Sequence, residues 1–98
     1  MTYAIELSRD ADRQLGKFNA RERRIILSAI REQLTHQPNV PTKNRKVLRE
    51  NPLARWELRV QRFRVFYNVL EDIVVVSVMA VAEKRGNKFL IEGEEVTL

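Results

Sequence analysis

Three apolar-rich runs between Arg55 and Ala82 are separated by very short polar turns, and this limits the possible folds more than any other feature of the chain. In "RWELRV", Trp56, Leu58 and Val60 share one face of an extended chain, and Arg55, Glu57 and Arg59 share the other. Gln61 and Arg62 make a turn. Phe63, Val65 and Tyr67 then alternate with Arg64, Phe66 and Asn68. Glu71 and Asp72 make the next turn, and "IVVVSVMAVA", Ile73 to Ala82, is apolar at nearly every position. Parallel neighbours need a crossover of about a dozen residues or more, so these runs must pair antiparallel. A strand that is apolar on both faces is expected at the centre of a sheet, covered on both sides.

The N-terminal half reads as one strand and two helices. Tyr3, Ile5 and Leu7 alternate with Ala4 and Glu6, the pattern of a short half-buried strand. Ser8 offers an N-cap, with Asp10 and Asp12 in the first turn where the helix dipole favours acids. Ala11, Leu15 and Phe18 are spaced for one helical face, and Gly16 keeps this helix short. Asn19 caps a second helix, with Glu22 at the capping-box position. Ile26, Ile30 and Leu34 lie one above another with Leu27 beside them, and Pro38 ends the pattern. The segment 38–54, "PNVPTKNRKVLRENPLA", holds all three prolines and no sustained periodicity. It reads as a loop with one turn of helix near Val47 and Leu48. In the tail, Gly86 and Gly93 are breaks, and Lys88 to Ile91 fits a strand or the start of a helix equally well. The order β-α-α-β-β-β, with an extra C-terminal strand or helix, gives an α+β class: a mostly antiparallel sheet with a two-helix hairpin packed on one face.

Residues 1–98 are expected to form a single domain. No apolar run approaches the roughly 18 residues of a membrane span, and the N-terminus lacks a secretory layout. Cytoplasmic residence without membrane association is therefore the expectation. With no cysteine there is neither a disulfide nor a thiolate ligand, and with no metal-ligand cluster or Gly-rich phosphate loop no metal or cofactor is expected. The net charge of +5 is concentrated in mid-chain: +2 over residues 1–42, +6 over residues 43–64 and −3 over residues 65–98. The block is Lys43, Arg45, Lys46, Arg49, Arg55, Arg59, Arg62 and Arg64 against Glu50 and Glu57. A block like this serves a polyanion or an acidic protein; a plainly solvated face is the competing account.

The stretch "RWELRVQRFRVFYNVLEDIVVVSVMAVAEKRGNKF" resembles the RelE/ParE toxin superfamily of bacterial type II toxin–antitoxin modules, most closely its RelE-like members. The resemblance is carried by a strand ending in Leu58 and Arg59 and by the aromatic-Arg-x-x-Tyr of Phe63, Arg64 and Tyr67. A Val-rich strand and the pair Lys84, Arg85 follow. "TKNRKVLRENPLARWELR" looks like the family's basic lead-in. The resemblance implies a cognate antitoxin, extended and largely helical, that wraps its toxin. For ribosome-dependent members it implies cleavage of messenger RNA on the ribosome by attack of a ribose 2′-hydroxyl on the adjacent phosphate. That endoribonuclease chemistry needs a proton acceptor, charge stabilisation and a proton donor.

By the same resemblance, Arg64 matches the sheet arginine that stabilises charge, its planar fork suiting a phosphate. Arg55 falls where an RNA-cleaving relative has a lysine, and Lys84 or Arg85 where one has a phosphate-holding arginine. Lys43, Arg45, Lys46, Arg49, Arg59 and Arg62 are the expected RNA-binding set. Two positions depart from the pattern. Glu57 stands where a lysine would help; it is either a general base or a counter-charge to Arg55 and Arg59. Phe89 and Leu90 stand where many members have a tyrosine or histidine, and neither has a proton to give. His36, the only histidine, reads as a helix C-terminal residue, and Trp56 and Tyr67 as core. Ser77 has no histidine placed to activate it. The acids Glu92, Glu94 and Glu95 are expected to compete for the basic face. The alternatives are a non-enzymatic ParE-like toxin that blocks a target such as DNA gyrase, and a weakened relative that mainly binds its antitoxin.

Overall fold

The computed structural model describes residues 2–98. Nine elements follow in order: β1 (Ala4–Leu7), α1 (Arg9–Leu15), α2 (Ala20–Leu34), β2 (Arg45–Val47), β3 (Trp56–Val60), β4 (Phe63–Leu70), β5 (Val75–Arg85), β6 (Lys88–Ile91) and β7 (Glu94–Val96). The strands form one sheet in the order β2-β3-β4-β5-β6-β7, and β1 pairs parallel with β5. Both helices pack on one face. The α+β expectation, two helices on a mostly antiparallel open sheet, is met.

The helices start where their caps dictate. Ser8 Oγ accepts from the Ala11 N–H at 3.0 Å, and Asn19 and Glu22 complete a reciprocal capping box. Ile26, Ile30 and Leu34 are buried against Leu58, Val65 and Tyr67, but Leu27 points outward, 36% exposed. Ile25 takes the flanking core position instead.

Strand β5 explains the unbroken apolar run. Val76 and Val78 face the helices. Opposite the Phe66/Tyr67 junction the register shifts, pairing Tyr67 with Val78 but Phe66 with Ala80. The bulge inserts Met79 and inverts the alternation, since a one-residue slip exchanges the faces. Val81 then returns to the core, while Ala80 and Ala82 join Phe66 and Ala54 in a second, smaller cluster on the far face. That face is thus covered only in part, by Leu48, Leu53, Phe89, Ile91 and Leu98. The strand begins at Val75 rather than Ile73: Val74 has φ 56° in the turn, and Ile73 is 62% exposed.

The outer edge of β5 is shared between β1, which ends opposite Val78, and β6, which starts opposite Arg85 and reaches back to Glu83. Two side chains fill the gap. Ser8 Oγ donates to the Met79 carbonyl at 3.1 Å, and buried Gln14 accepts from the Val81 N–H at 2.8 Å. A buried main-chain N–H without a partner would be costly, which explains an amide at a core position of α1.

One expectation changes, and one open choice resolves. The turn of helix near Val47 and Leu48 is the strand β2, which pairs with β3 in the register Lys46 opposite Glu57. Lys88 to Ile91 is a strand, and with β7 it makes a C-terminal hairpin through Glu92 and Gly93, both at positive φ.

Candidate nucleic-acid interface

Antiparallel register assembles a cleft of about 160 Å³ on the sheet face away from the helices, lined by Lys43, Asn44, Lys46, Glu57, Arg59, Arg64 and Lys84. Lys46 comes from β2, Glu57 and Arg59 from β3, Arg64 from β4 and Lys84 from β5. The bulge at Met79 is what brings Lys84 onto this face and sends Arg85 to the other. Arg59 and Arg64 are directly opposed across β3 and β4. Like charges in that relation are destabilising unless an anion lies between or beside them.

Arg64 sits at the base of the cleft, only 6% exposed. Its Nη1 donates to the main-chain carbonyls of Gln61 at 2.7 Å and Phe63 at 2.8 Å. Its Nε lies 3.8 Å from Glu57 Oε2. Burial pulls its pKa down, Glu57 opposes this, and Arg59 adds to it. An arginine stays charged through such a shift, so the guanidinium is fixed in place and cationic. Glu57 is 6% exposed and touches Lys46 Nζ at 3.9 Å as well as Arg64. Its counter-charges are therefore Arg64 and Lys46, not Arg55 and Arg59. The Lys84 ammonium stands 6.0 Å from the centroid of the Phe89 ring, which meets Phe66 edge-on at 5.5 Å. Phe89 thus faces the rim of the cleft, whereas Leu90 lines a groove on the helix side.

The remaining sequence-predicted residues lie elsewhere. Arg45 is 8% exposed and bonds the carbonyls of Val40, at 3.1 Å, and Gln33; its side chain anchors the loop after α2 and does not line the cleft. Arg55 lines a separate hollow with Asn68 and the 48–54 loop. Arg49 Nη2 donates to the Leu98 main-chain oxygen at 2.7 Å. Arg62 pairs with Glu22 and, at 2.8 Å, with Glu83, and Arg85 with Glu83 at 3.2 Å, all on the helix side. Asn44 is a cleft residue that carried no sequence signal; its carbonyl accepts from the Arg59 N–H at 2.8 Å. His36 lies just past the Thr35 cap of α2 and is exposed. Tyr67 is core, stacked on Trp56 with ring centroids 5.9 Å apart, and its hydroxyl donates to the Pro38 carbonyl at 2.8 Å.

The acidic tail does not cover the cleft. Glu92 pairs with Arg13 at 2.8 Å, and Arg13 holds the Glu92 carboxyl below the usual carboxylate range. Glu95 pairs with Lys88 at 3.7 Å. Deleting residues 92–98 should accordingly leave RNA affinity at low salt unchanged within about twofold, while lowering thermal stability because Leu98 leaves the far-face cluster. Filter binding and a melting curve on the truncated chain check both parts.

The fold and this face define a small α+β protein with an open, cationic sheet surface backed by a helical hairpin. Residues 5–87 match the family of ParE toxins of the type II toxin–antitoxin system parDE, and the chain belongs to that family, within the RelE/ParE superfamily. Solved structures share its fold. The RelBE2 toxin–antitoxin complex of Mycobacterium tuberculosis is 19% identical with a TM-score of 0.75, over 86% of this chain and 93% of that one. The isolated Escherichia coli RelE toxin is 21% identical with a TM-score of 0.69, over 86% of each chain. The archaeal RelE–RelB complex of Pyrococcus horikoshii OT3 is 22% identical with a TM-score of 0.68, over 88% of this chain and 98% of that one. No curated protein sequence matches the chain. No helix among the described residues is long and apolar enough to cross a membrane.

Proposed function

We propose that this toxin arrests translation by RelE-like cleavage of messenger RNA on the ribosome, using the far-face cleft, and that a cognate antitoxin neutralises it. The observation that carries this reading is the convergence of Lys43, Lys46, Arg59, Arg64 and Lys84, from one loop and three other strands besides β3's own arginine, around a single carboxylate. Five cations in one hollow suit a phosphodiester backbone. Arg64 supplies fixed positive charge where a phosphorane would form. The antitoxin assignment draws on family membership, and two of the similar structures are toxin–antitoxin complexes. The basic block would speed association with an acidic partner chain.

Phe89 favours the second reading, a ParE-like block of DNA gyrase without chemistry, because the ring at the cleft rim, 6.0 Å from the Lys84 ammonium, has no acidic proton to donate. Two measurements test the proposal. Induced expression should arrest growth, and co-expression of the protein encoded beside it should relieve the arrest. RNA binding should weaken with salt: five phosphate contacts give a log–log slope of about −3.5, or roughly a 100-fold loss between 50 and 200 mM. A slope near zero would remove the cleft from RNA binding.

A further inference from the structure

The cleft occupies only one end of the far face. Arg59 and Arg64 are opposed at that end of the β3–β4 ribbon, and Arg55 and Asn68 meet at the other. The four residues from Arg64 to Asn68 span about 13 Å of strand. A hollow of about 340 Å³ lies between the two ends. It shares Lys46 and Glu57 with the cleft, and Leu48, Arg49 and Asn51 with the hollow of about 210 Å³ around Arg55. A single strand held in the cleft by a phosphate therefore has adjoining hollows to follow as far as Arg55.

The Arg55 hollow is built differently from the cleft. Its wall is the 48–54 loop, which Asn51 holds in one shape. The Asn51 amide donates to the carbonyls of Arg49 and Ala54 at 2.8 and 2.9 Å, and accepts from the N–H groups of Leu53 and Ala54 at 2.8 and 3.1 Å. Pro52 and Leu53 add apolar surface. The charges here nearly balance, with Arg55 set against Glu50 and Arg49 bonded to the Leu98 oxygen. An acid at the wall repels a phosphate but not a neutral base. Asn68 is fixed in orientation: its Oδ1 accepts the Arg55 main-chain N–H at 2.8 Å, which turns the Nδ2 donor toward the hollow. The Arg55 guanidinium is also a donor. Two donors side by side match two adjacent acceptors, and guanine O6 and N7 are such a pair, whereas adenine sets the N6 donor beside its N7. Guanine N2 is in turn a donor for a carboxylate such as that of Glu50.

We propose that the Arg55–Asn68 hollow reads one base of the RNA strand held in the cleft, and that it selects guanine. This rests on the RNA-binding reading of the cleft given above. Arg55 and Asn68 set specificity and touch no reacting atom.

The test measures a ratio of affinities. Hexanucleotide RNAs of uridine with one central guanine, adenine or 7-deazaguanine are titrated at low salt against wild-type, Asn68→Asp and Arg64→Ala proteins. Melting curves confirm that each variant is folded. The wild type should bind the guanine RNA about 5- to 150-fold more tightly than the adenine RNA, the discrimination of one bidentate contact. The 7-deazaguanine RNA, with a C–H in place of N7, should fall to near the adenine level. Asn68→Asp keeps an acceptor for the Arg55 N–H and removes the donor, so the guanine preference should vanish. Arg64→Ala should weaken all three RNAs and leave the ratio as in wild type. If the wild type binds the guanine and adenine RNAs within about twofold of each other, or Asn68→Asp keeps the wild-type ratio, the hollow does not read guanine although the cleft binds RNA. If the wild type binds none of the RNAs, RNA binding by the cleft fails, and base reading fails with it.

Discussion

Arg64→Ala should lower RNA cleavage about 100- to 1,000-fold, the usual cost of losing one preorganised donor to a developing oxyanion. Cells expressing it should grow. The substitution also has a structural cost, because the carbonyls of Gln61 and Phe63 lose the donor that now sits 2.7 and 2.8 Å away. That loss should take about 1–3 kcal/mol from stability. The two effects are separable. Arg64→Lys keeps the charge but lacks the planar guanidinium, whose Nη1 holds both carbonyls while its other nitrogens stay free for a phosphate, so it should recover only part of the activity. Denaturant midpoints and cleavage rates on the same preparations check this. Undiminished cleavage by a folded Arg64→Ala protein would remove Arg64 from the mechanism.

Phe63→Ala should be among the most damaging substitutions in the core between the sheet and the helices. Its ring is fully buried on the helix side of β4, meets Phe18 edge-on with centroids 5.2 Å apart, and lies under the Arg62 guanidinium at 4.5 Å. Phe18 belongs to the short link between the two helices, so this contact ties the hairpin to the sheet at the point where β4 begins. Truncating a buried phenylalanine costs about 3–5 kcal/mol. A domain of this size has only about 5–15 kcal/mol to lose. Urea titration should show the midpoint falling steeply with an unchanged slope. A change below about 1 kcal/mol would mean that the site collapses without leaving a void.

The strands β3 and β4 were legible because they follow one rule without interruption: Trp56, Leu58 and Val60, then Phe63, Val65 and Tyr67, all face the helices. Both helix starts were legible because Ser8 and Asn19 cap them through their own side chains. Strand β2 was not, since three residues are too few for an alternation to show and an irregular loop holding Pro52 separates it from β3. The bulge in β5 was hidden by its composition. When every residue from Val74 to Val76 and from Val78 to Ala82 is apolar, an inversion of faces leaves no trace in the sequence. Choosing between Lys84 and Arg85 depended on that inversion. The burial of Arg45 was equally illegible, because its partners are main-chain carbonyls of Gln33 and Val40, which no side-chain pattern reports. Glu57 was marked as out of place among arginines, but its burial against Arg64 and Lys46 rests on cross-strand register that the sequence does not print.

The most direct measurement is a transcriptome-wide map of RNA ends taken minutes after induction of the wild-type protein, with translation active and with translation blocked. The cleft account predicts new ends within translated reading frames that carry a 5′-hydroxyl and a 2′,3′-cyclic phosphate, and that vanish when ribosomes are cleared from the message. Growth arrest with no new RNA ends, accompanied by gyrase-linked breaks in DNA, would contradict it.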